Sequence, residues 1–209
     1  MTTELWLVRH GDAVHHHTSQ LPWPEVPLSE EGHRQARALA ARFRQVEELA
    51  GVFSSPHRRA RETAQPIAEV LRLSVVLDEA LREMDFGAAG GLTIEEFRDR
   101  WPDLYPVWED RSRIDFRWPG GESRVEFAER AVRAVETLAL AYAGQRIVIV
   151  AHTGILCGYL AHLFLGSARR WREFLLRPAS VTCVQVGADG ARFLLRDDVS
   201  HLEAGGPDD

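Results

Sequence analysis

The sequence predicts an α/β fold: a three-layer sandwich whose mostly parallel central sheet has helices on both faces and an antiparallel edge strand. Short apolar runs alternate with segments of helical periodicity along most of the chain, which favours parallel strands joined by helices. Near the end, residues 181–186 and 191–195 are separated by Ala188-Asp189-Gly190, which is typical of a closing hairpin. With 209 residues and 45% hydrophobic content, the chain is long enough for one domain with a sizeable core.

The predicted elements follow in chain order. Strands are predicted at residues 5–8, 51–53, 75–77 and 146–151. Helices are predicted at 30–49, 57–71, 123–142 and 155–165, with Ser29 and Ser123 as N-caps. Residues 82–122 interrupt the alternation, and we interpret them as a lid-like excursion with a short helix at 93–101. The domain is expected to span 1–203, with 204–209 as a disordered polar tail.

Histidine and arginine residues follow the predicted strands. Arg9, His10 and Gly11 come directly after the first apolar run, and His152 and Thr153 come after 146–151. The carboxyl ends of parallel strands meet at one edge of a sheet, so these residues should converge there. A loop after the second strand, residues 54–64, adds further arginines. Guanidinium groups can hold a phosphoryl group while an imidazole attacks phosphorus, so this edge predicts phosphoryl chemistry.

These motifs resemble those of the histidine phosphatase superfamily, which includes cofactor-dependent phosphoglycerate mutases. The resemblance runs from Leu5 to about Val186 and rests on Leu7-Val-Arg-His-Gly11, Pro27-Leu-Ser29, Glu31-Gly32, Gln35-Ala36, Ser54-Ser-Pro56, Arg59-Ala60, Thr63-Ala64, Glu83 with Gly87, Gly120-Gly-Glu-Ser123 and Ala151-His152. It implies a phosphoglycerate mutase-like fold. It also implies the following roles: a phosphorylated nucleophile, His10; a phosphate pocket, Arg9, Arg59 and His152; and a proton donor, Glu83.

The chemistry of the nucleophile agrees with this resemblance. Neighbouring positive charge disfavours protonation of His10, which keeps the imidazole neutral and available for attack. Gly11 is expected to let the chain turn sharply towards the phosphate. The alternative for His10 is a core histidine bonded to a backbone carbonyl.

The other site residues also have alternatives. Arg59 is preferred over Arg58 because it precedes Ala60 as in the family pattern, and the alternative is an exposed helix arginine. His152 is expected to be a charged donor to the phosphoryl oxygens, together with Thr153 and N–H groups where the next helix begins. A buried structural histidine or a metal ligand is the alternative there. Two other carboxylates compete with Glu83 as proton donor: Asp12 and Asp85.

The chain departs from the family pattern at several positions. Asp12 and Ala13 stand where the family often has Glu-Thr, and Ala89-Gly90 replaces a Trp-Glu pair. His16 stands where the family often has asparagine, and we predict that it replaces one lost phosphate donor. The triplet His15-His16-His17 is interpreted as a solvated rim that attracts anionic substrate rather than as a metal site.

Composition excludes several other classes of protein. A net charge of −6 argues against non-specific nucleic-acid or membrane binding, and no apolar run is long enough to span a bilayer. Cys157 and Cys183 are expected to be reduced core thiols, and the cytoplasm is the predicted location. No metal motif occurs and no cofactor is predicted. The oligomeric state stays open, a homodimer included.

The sequence therefore predicts a metal-independent phosphomonoesterase that acts on a small-molecule phosphate monoester through a phosphohistidine on His10. One alternative is phosphoglycerate mutase-type transfer, which the lack of lysine or of a dense arginine cluster in the excursion disfavours. Another is a phosphate-binding regulatory module without turnover, which the Ala13 and Ala89 departures leave open. The substrate could be a sugar phosphate, a nucleotide-like ester such as α-ribazole phosphate, or a phosphoamino acid.

Overall fold

Six strands form the central sheet of the computed structural model, which describes residues 2–203. Their order is β3-β2-β4-β1-β5-β6, and their bounds are β1 (Thr2–Arg9), β2 (Leu49–Ser54), β3 (Val75–Leu77), β4 (Arg146–Ala151), β5 (Val181–Gly187) and β6 (Gly190–Asp198). The first four are parallel to one another, whereas β5 is antiparallel to β1 and β6 to β5. The predicted fold class is therefore confirmed.

The strand register places the candidate site. Arg9 of β1 is level with Ala151 of β4, and Ser54 of β2 is level with Val150 of β4. The residues that follow these three strands leave the sheet at the same edge: His10, Ser55 and His152. Open α/β sheets bind ligands at this carboxyl edge.

Helices cover both faces of the sheet. They are α1 (Glu30–Phe43), α2 (Arg58–Leu71), α3 (Ile94–Arg100), α4 (Tyr105–Glu109), α5 (Arg124–Ala141), α6 (Thr153–Leu165) and α7 (Ser200–Glu203). Helices α1 and α2 pack on one face in a core that includes Val8 and Val148. Helices α5 and α6 pack on the other face with Leu7 and Ile149. Because successive strand residues point to opposite faces, β1 and β4 are buried on both sides.

Most helix bounds agree with the sequence prediction, but α1 is shorter. Its predicted cap is present, since Ser29 Oγ accepts a hydrogen bond from the Gly32 N–H at 3.1 Å. The helix ends at Phe43 rather than residue 49, and β2 begins at Leu49. Val46 continues the apolar period of the helix, yet it packs against the core from the connecting loop. The apolar period thus predicts correctly that Val46 contacts the core, but it does not predict where the helix ends.

Residues 82–122 contain α3, α4 and a small apolar core of their own. Phe97, Phe116 and Trp118 are buried in it together with Ala89. Edge-to-face contacts join several of these rings, with the Phe116 and Trp118 centroids 5.1 Å apart. The excursion is thus an ordered layer over part of the sheet edge.

Arg130 of α5 ties both ends of the excursion together. Its guanidinium donates hydrogen bonds to the carbonyl oxygens of Arg82 at 2.8 Å and Glu83 at 3.3 Å. It also pairs with both carboxylate oxygens of Glu122, at 2.7 and 2.5 Å. Bidentate pairs of this kind fix geometry as well as adding energy. The segment that carries Glu83 is therefore anchored to α5.

Three further expectations concern the chain as a whole. Cys157 and Cys183 are buried and free, as predicted. Among residues 2–203, none of the helices has the length and apolar character that crossing a bilayer requires. The tail predicted over 204–209 lies outside the described residues, as does Met1.

Gly32, near the start of α1, generates a prediction about stability. A β-carbon at this position would overlap the carbonyl oxygen of Asp12, so backbone atoms would have to move. We expect Gly32→Ala to lower the melting temperature by about 5 °C or more. Scanning calorimetry measures the change.

Gly158→Ala in α6 is the matched control. A β-carbon there would make an ordinary contact, 3.6 Å from Ala131 Cβ, and alanine has the higher helix propensity. Its melting temperature should equal or exceed that of the wild type. A Gly32→Ala protein as stable as the Gly158→Ala protein would contradict the packing described here.

Candidate active site

Two histidines from distant parts of the sequence meet at the carboxyl edge of the sheet. His10 follows β1 and His152 follows β4, and their ring centroids are 5.1 Å apart. Their side chains are 3% and 0% exposed, respectively. The structure thus places both imidazoles in one buried site.

Arg59 lies in the first turn of α2. Of the arginines in residues 54–64, it is the one that enters this site. It is 1% exposed, and its Nε donates a hydrogen bond to His10 Nε2 at 3.3 Å. Its Nη1 donates to the carbonyl oxygen of Trp23 at 3.1 Å. Arg58 instead points to solvent and pairs with Glu62 at 2.7 Å. The helical turn separates the two neighbours, with Arg59 on the buried side.

The contacts of His10 assign its neutral tautomer. Nδ1 lies 2.7 Å from the carbonyl oxygen of Gly11, which can only accept, so Nδ1 carries the proton. Nε2 is therefore unprotonated, and its lone pair accepts the hydrogen bond from Arg59 Nε. Burial, followed by the charges of Arg59 and Arg9, lowers the pKa of His10 well below its usual value. The predicted neutral ring follows, although burial contributes more than the neighbouring charge.

His152 is oriented by a serine. Its Nε2 lies 2.7 Å from Ser55 Oγ, and among residues 2–203 its buried Nδ1 has no hydrogen-bond partner. Burial, followed by the charge of Arg59, lowers the pKa of His152 well below its usual value. The positive charge predicted for His152 therefore requires an anion next to the ring.

Arg9 is linked to a carboxylate through His16. Its Nη1 donates to the Leu176 carbonyl oxygen at 2.6 Å, and its Nη2 donates to His16 Nε2 at 3.1 Å. Because a guanidinium only donates, His16 accepts at Nε2, and its Nδ1 donates to Asp12 Oδ1 at 3.0 Å. The His16 ring also stacks on His10, with centroids 5.5 Å apart. His16 thus lies inside the site and orients Arg9.

The three consecutive histidines have different environments. His15 is half-buried, 6.2 Å from the His10 ring centroid, and burial followed by the charge of His16 lowers its pKa to about 3. His17 is 66% exposed and bonds to Asp12 at 2.6 Å. Of the three, His17 alone fits the predicted solvated rim. Across the described residues, no group of three His, Cys, Asp or Glu side chains is arranged to hold a metal ion.

Glu83 reaches the start of α6. Its Oε2 accepts the Gly154 N–H at 3.1 Å and its Oε1 accepts the Met84 N–H at 2.9 Å. A β-carbon on Gly154 would overlap the Glu83 carboxylate and the Phe127 ring, so a larger residue would have to displace both side chains. Burial lowers the pKa of both Arg59 and Arg9, and the charge of Glu83 opposes that effect at each. The charge of Glu83 therefore acts on both guanidinium groups.

The two other candidate proton donors are engaged elsewhere. Burial acts to raise the pKa of Asp12, but hydrogen bonds from Ser29 and two histidines outweigh it and lower that pKa. Asp85 is exposed, and its carboxylate accepts a backbone N–H within the excursion. Asp12 is bound by Ser29 and two histidines, and Asp85 is exposed within the excursion. Glu83 instead contacts the start of α6, two residues after His152, and it stays the candidate.

Gly11 and Thr153 flank the two histidines. Gly11 is not among the glycines with positive φ, and a β-carbon there would lie 2.9 Å from the Gly32 carbonyl oxygen. The close packing of this loop on α1 therefore requires glycine, rather than the sharp turn we predicted. Thr153 is the first residue of α6 and lines a cavity together with Glu83.

A family model for the histidine phosphatase superfamily (branch 1) matches residues 5–199. The chain belongs to this superfamily. A bifunctional protein of Mycobacterium tuberculosis is 36% identical over 191 residues, which cover 90% of this chain but only 52% of that protein, so the chain spans about half its length. The metal-independent phosphoserine phosphatase of Arabidopsis thaliana is 33% identical over 208 residues, 98% of this chain and 85% of that one.

A solved structure shares the fold. The α-ribazole phosphatase of Shigella flexneri superposes with a TM-score of 0.85 at 24% identity, over 93% of this chain and 96% of that one. The described strands and helices of the present chain therefore have the phosphoglycerate mutase-like arrangement that the sequence predicts.

Three residues that contribute to the candidate site were not predicted from the sequence. Trp23 contributes a backbone carbonyl, for which no side-chain signal exists. Ser55 lies within the Ser54-Ser-Pro56 motif that carries the resemblance, but the motif alone does not assign its bond to His152. His57 is 8% exposed, its Nδ1 lies 3.4 Å from Arg59 Nη2, and its ring centroid lies 5.1 Å from that of His152.

His57 generates a prediction about acid stability. Burial, followed by the charge of Arg59, lowers its pKa to about 3. The unfolded residue titrates near 6.5, so between these values the unfolded chain binds a proton that the folded chain does not, and stability falls as pH falls. We expect His57→Leu to reduce the slope of the unfolding free energy against pH by the amount that corresponds to about one bound proton. Urea denaturation from neutral pH to about pH 5 measures the slope.

Gln45→Leu provides the comparison. Gln45 is exposed just after α1 and carries no ionisable group, so its substitution should leave the slope as in the wild type. Identical slopes for His57→Leu and Gln45→Leu would show that His57 does not contribute as described.

Proposed function

We propose that this chain is a metal-independent phosphomonoesterase that works through a phosphohistidine intermediate on His10. The observation that carries the proposal is the approach of Arg59 Nε to His10 Nε2 at 3.3 Å in a buried site that also receives Arg9 and His152. A phosphoryl group between these residues would face a neutral nucleophile and two fixed positive charges. That combination suits phosphoryl transfer, in which positioning and electrostatics supply most of the catalysis.

The reaction would proceed in two steps. His10 Nε2 attacks phosphorus, the bond from phosphorus to the ester oxygen breaks, and Glu83 gives its proton to the leaving alcohol. Glu83 then takes a proton from water, whose oxygen attacks phosphorus and breaks the bond to Nε2. Inorganic phosphate leaves and neutral His10 is restored.

The phosphate-binding roles are part of the same proposal. Arg9 and Arg59 supply positive charge, and Gly11, His16, His152 and Thr153 complete the pocket. An incoming phosphate dianion would stabilise the charged form of His152, which can then donate to a phosphoryl oxygen. The name of the Arabidopsis relative, a metal-independent phosphoserine phosphatase, supports hydrolysis of a small phosphorylated substrate.

Phosphoglycerate mutase-type transfer is the second candidate. The sequence argument against it was the lack of a dense arginine cluster in the excursion. The structure weakens that argument, because one cavity gathers arginines from three segments: Arg111 of the excursion, Arg124 of α5, and Arg169 and Arg172 of residues 168–174. The two reactions differ in the acceptor of the phosphoryl group, which is water in the phosphatase and a hydroxyl of a bound sugar acid in the mutase. Release of inorganic phosphate therefore distinguishes them.

The intermediate can be trapped. Mixing the protein with a ³²P-labelled monoester and quenching in alkali should leave label on the chain, because phosphohistidine survives alkali. His10→Ala should carry no label and lose at least about a thousandfold in phosphate release. Undiminished turnover by a folded His10→Ala protein would overturn the mechanism.

Two neighbouring arginines of α2 allow a matched pair of variants, one at a buried and one at an exposed position. Arg59→Gln removes a buried donor beside His10, and we expect kcat/KM to fall by about a hundredfold to a thousandfold. Arg58→Gln removes an exposed arginine that pairs with Glu62, and kcat/KM should change by less than about twofold. Steady-state phosphate release measures both variants, and equal effects would contradict the assignment of Arg59.

A further inference from the structure

A cavity of about 360 Å³ adjoins the proposed catalytic site. Glu83, Thr153 and Gly154 line its inner end, so it begins at the group proposed to protonate the leaving oxygen. Its other walls come from the excursion, α5, α6 and the 3-10 helix Ala168–Phe174. The volume suits a small molecule. A group that leaves His10 past Glu83 would enter this cavity.

The walls of the cavity are largely apolar and aromatic. They include Met84, Trp108, Ile114, Trp118, Phe127 and Trp171. Trp118 is 3% exposed, and its indole N–H points at the Met84 sulfur at 3.0 Å, so it presents no free donor to a ligand. Such walls favour a flat apolar group over a polyhydroxylated one, whose hydroxyls would lose water without gaining partners.

The outer part of the cavity is cationic. Arg111 and Arg172 are exposed, and their guanidinium groups lie over Trp108 and Trp171 at 4.6 and 4.3 Å from the ring centroids. In the described part of the chain, neither forms an ion pair with a carboxylate. Most other exposed arginines nearby are paired, as Arg113 is with Asp115 at 2.8 Å. Positive charge is thus concentrated opposite Glu83.

Arg124 lines the same cavity as Arg111 and Arg172. Burial, followed by the charges of Arg111 and Arg172, lowers its pKa. Its own guanidinium donates to the carbonyl oxygens of Trp108 and Asp110, at 2.5 and 2.7 Å, so it braces the wall. Arg111 and Arg172 are left to meet a ligand.

We propose that this cavity selects phosphomonoesters whose leaving alcohol has an aromatic body and a second anionic group, such as a carboxylate, at its far end. The inference rests on the proposed phosphatase function and adds the substrate class. The aromatic body packs against the tryptophan walls, and the distal anion meets Arg111 and Arg172. An ammonium group at the same position is repelled.

Three esters with similar leaving groups test the proposal: benzyl phosphate, 4-carboxybenzyl phosphate and 4-(aminomethyl)benzyl phosphate. We expect kcat/KM for the carboxylate ester to exceed that for benzyl phosphate by about tenfold, and the ammonium ester to be the poorest. Added salt should reduce the preference because the arginines are exposed. Equal or reversed preference would overturn the proposal.

Arginine variants test whether Arg111 and Arg172 cause the preference for the carboxylate ester. In Arg111→Gln/Arg172→Gln, the ratio of kcat/KM for the carboxylate ester to that for benzyl phosphate should fall to about one. Arg44→Gln, just after α1 on the opposite face of the sheet, should keep the wild-type ratio. A preference that survives in the double variant would overturn the assignment, and melting temperatures verify that both variants are folded.

Binding of non-hydrolysable phosphonates separates this inference from the proposed function. By calorimetric titration, 4-carboxybenzylphosphonate should bind wild-type protein about tenfold more tightly than benzylphosphonate, and the double variant should lose this difference. Tight, charge-dependent binding without hydrolysis of any ester would support the cavity and overturn the phosphatase. Hydrolysis of all three esters at equal rates would support the phosphatase and overturn the cavity.

Discussion

The site depends on the burial of a guanidinium group beside an imidazole. Arg59 is 1% exposed, and its Nε faces His10 Nε2 at 3.3 Å. In the described part of the chain it forms no ion pair with a carboxylate; its contacts are a backbone carbonyl and two histidine rings. Removing such a charge from water costs several kcal/mol, which a carboxylate partner would normally offset. An unpaired buried cation of this kind is suited to an anionic ligand, and the same charge helps keep His10 neutral.

The fold holds that arrangement through Thr63. Its hydroxyl accepts the Gly11 N–H at 3.0 Å and donates to the Arg59 carbonyl oxygen at 2.8 Å. One fully buried side chain thereby joins the loop after β1 to the first turn of α2. His10 and Arg59 keep their spacing because the backbone of Gly11, next to His10, and the backbone of Arg59 are tied to the same hydroxyl. Strand register supplies the remaining residue, His152.

The sequence predicted those parts of the molecule that depend on local pattern. Apolar runs followed by histidine located the sheet edge, and the capping serines located the starts of α1 and α5. The end of α1 was missed because Val46 is partly buried against the core without being helical. Gly11 was identified as necessary for the wrong reason, since its close approach to Gly32 is a tertiary contact. Such contacts leave no trace in the neighbouring residues.

The parts of the candidate site that escaped prediction are assembled from segments distant in sequence. The Trp23 carbonyl is one example, since every residue has such a group and its direction depends on the folded loop. The cationic end of the cavity is another, because Arg111 and Arg172 belong to segments about sixty residues apart that only the fold brings to one cavity. Conversely, the conspicuous histidine triplet suggested one shared role, and the structure gives its members three environments.

The contacts of Arg130 separate the part of the excursion that holds Glu83 from the aromatic part that lines the cavity. Both ends of the segment converge on a single guanidinium, so α5 holds the backbone of Glu83. The carboxylate of Glu83 is held by the N–H groups of Gly154 in α6 and of the adjacent Met84, not by the aromatic side chains beyond it. Sequence changes in that aromatic part can therefore alter the cavity walls without disturbing the position of Glu83. Evolution within such a scaffold could diversify selectivity while the chemistry stays constant.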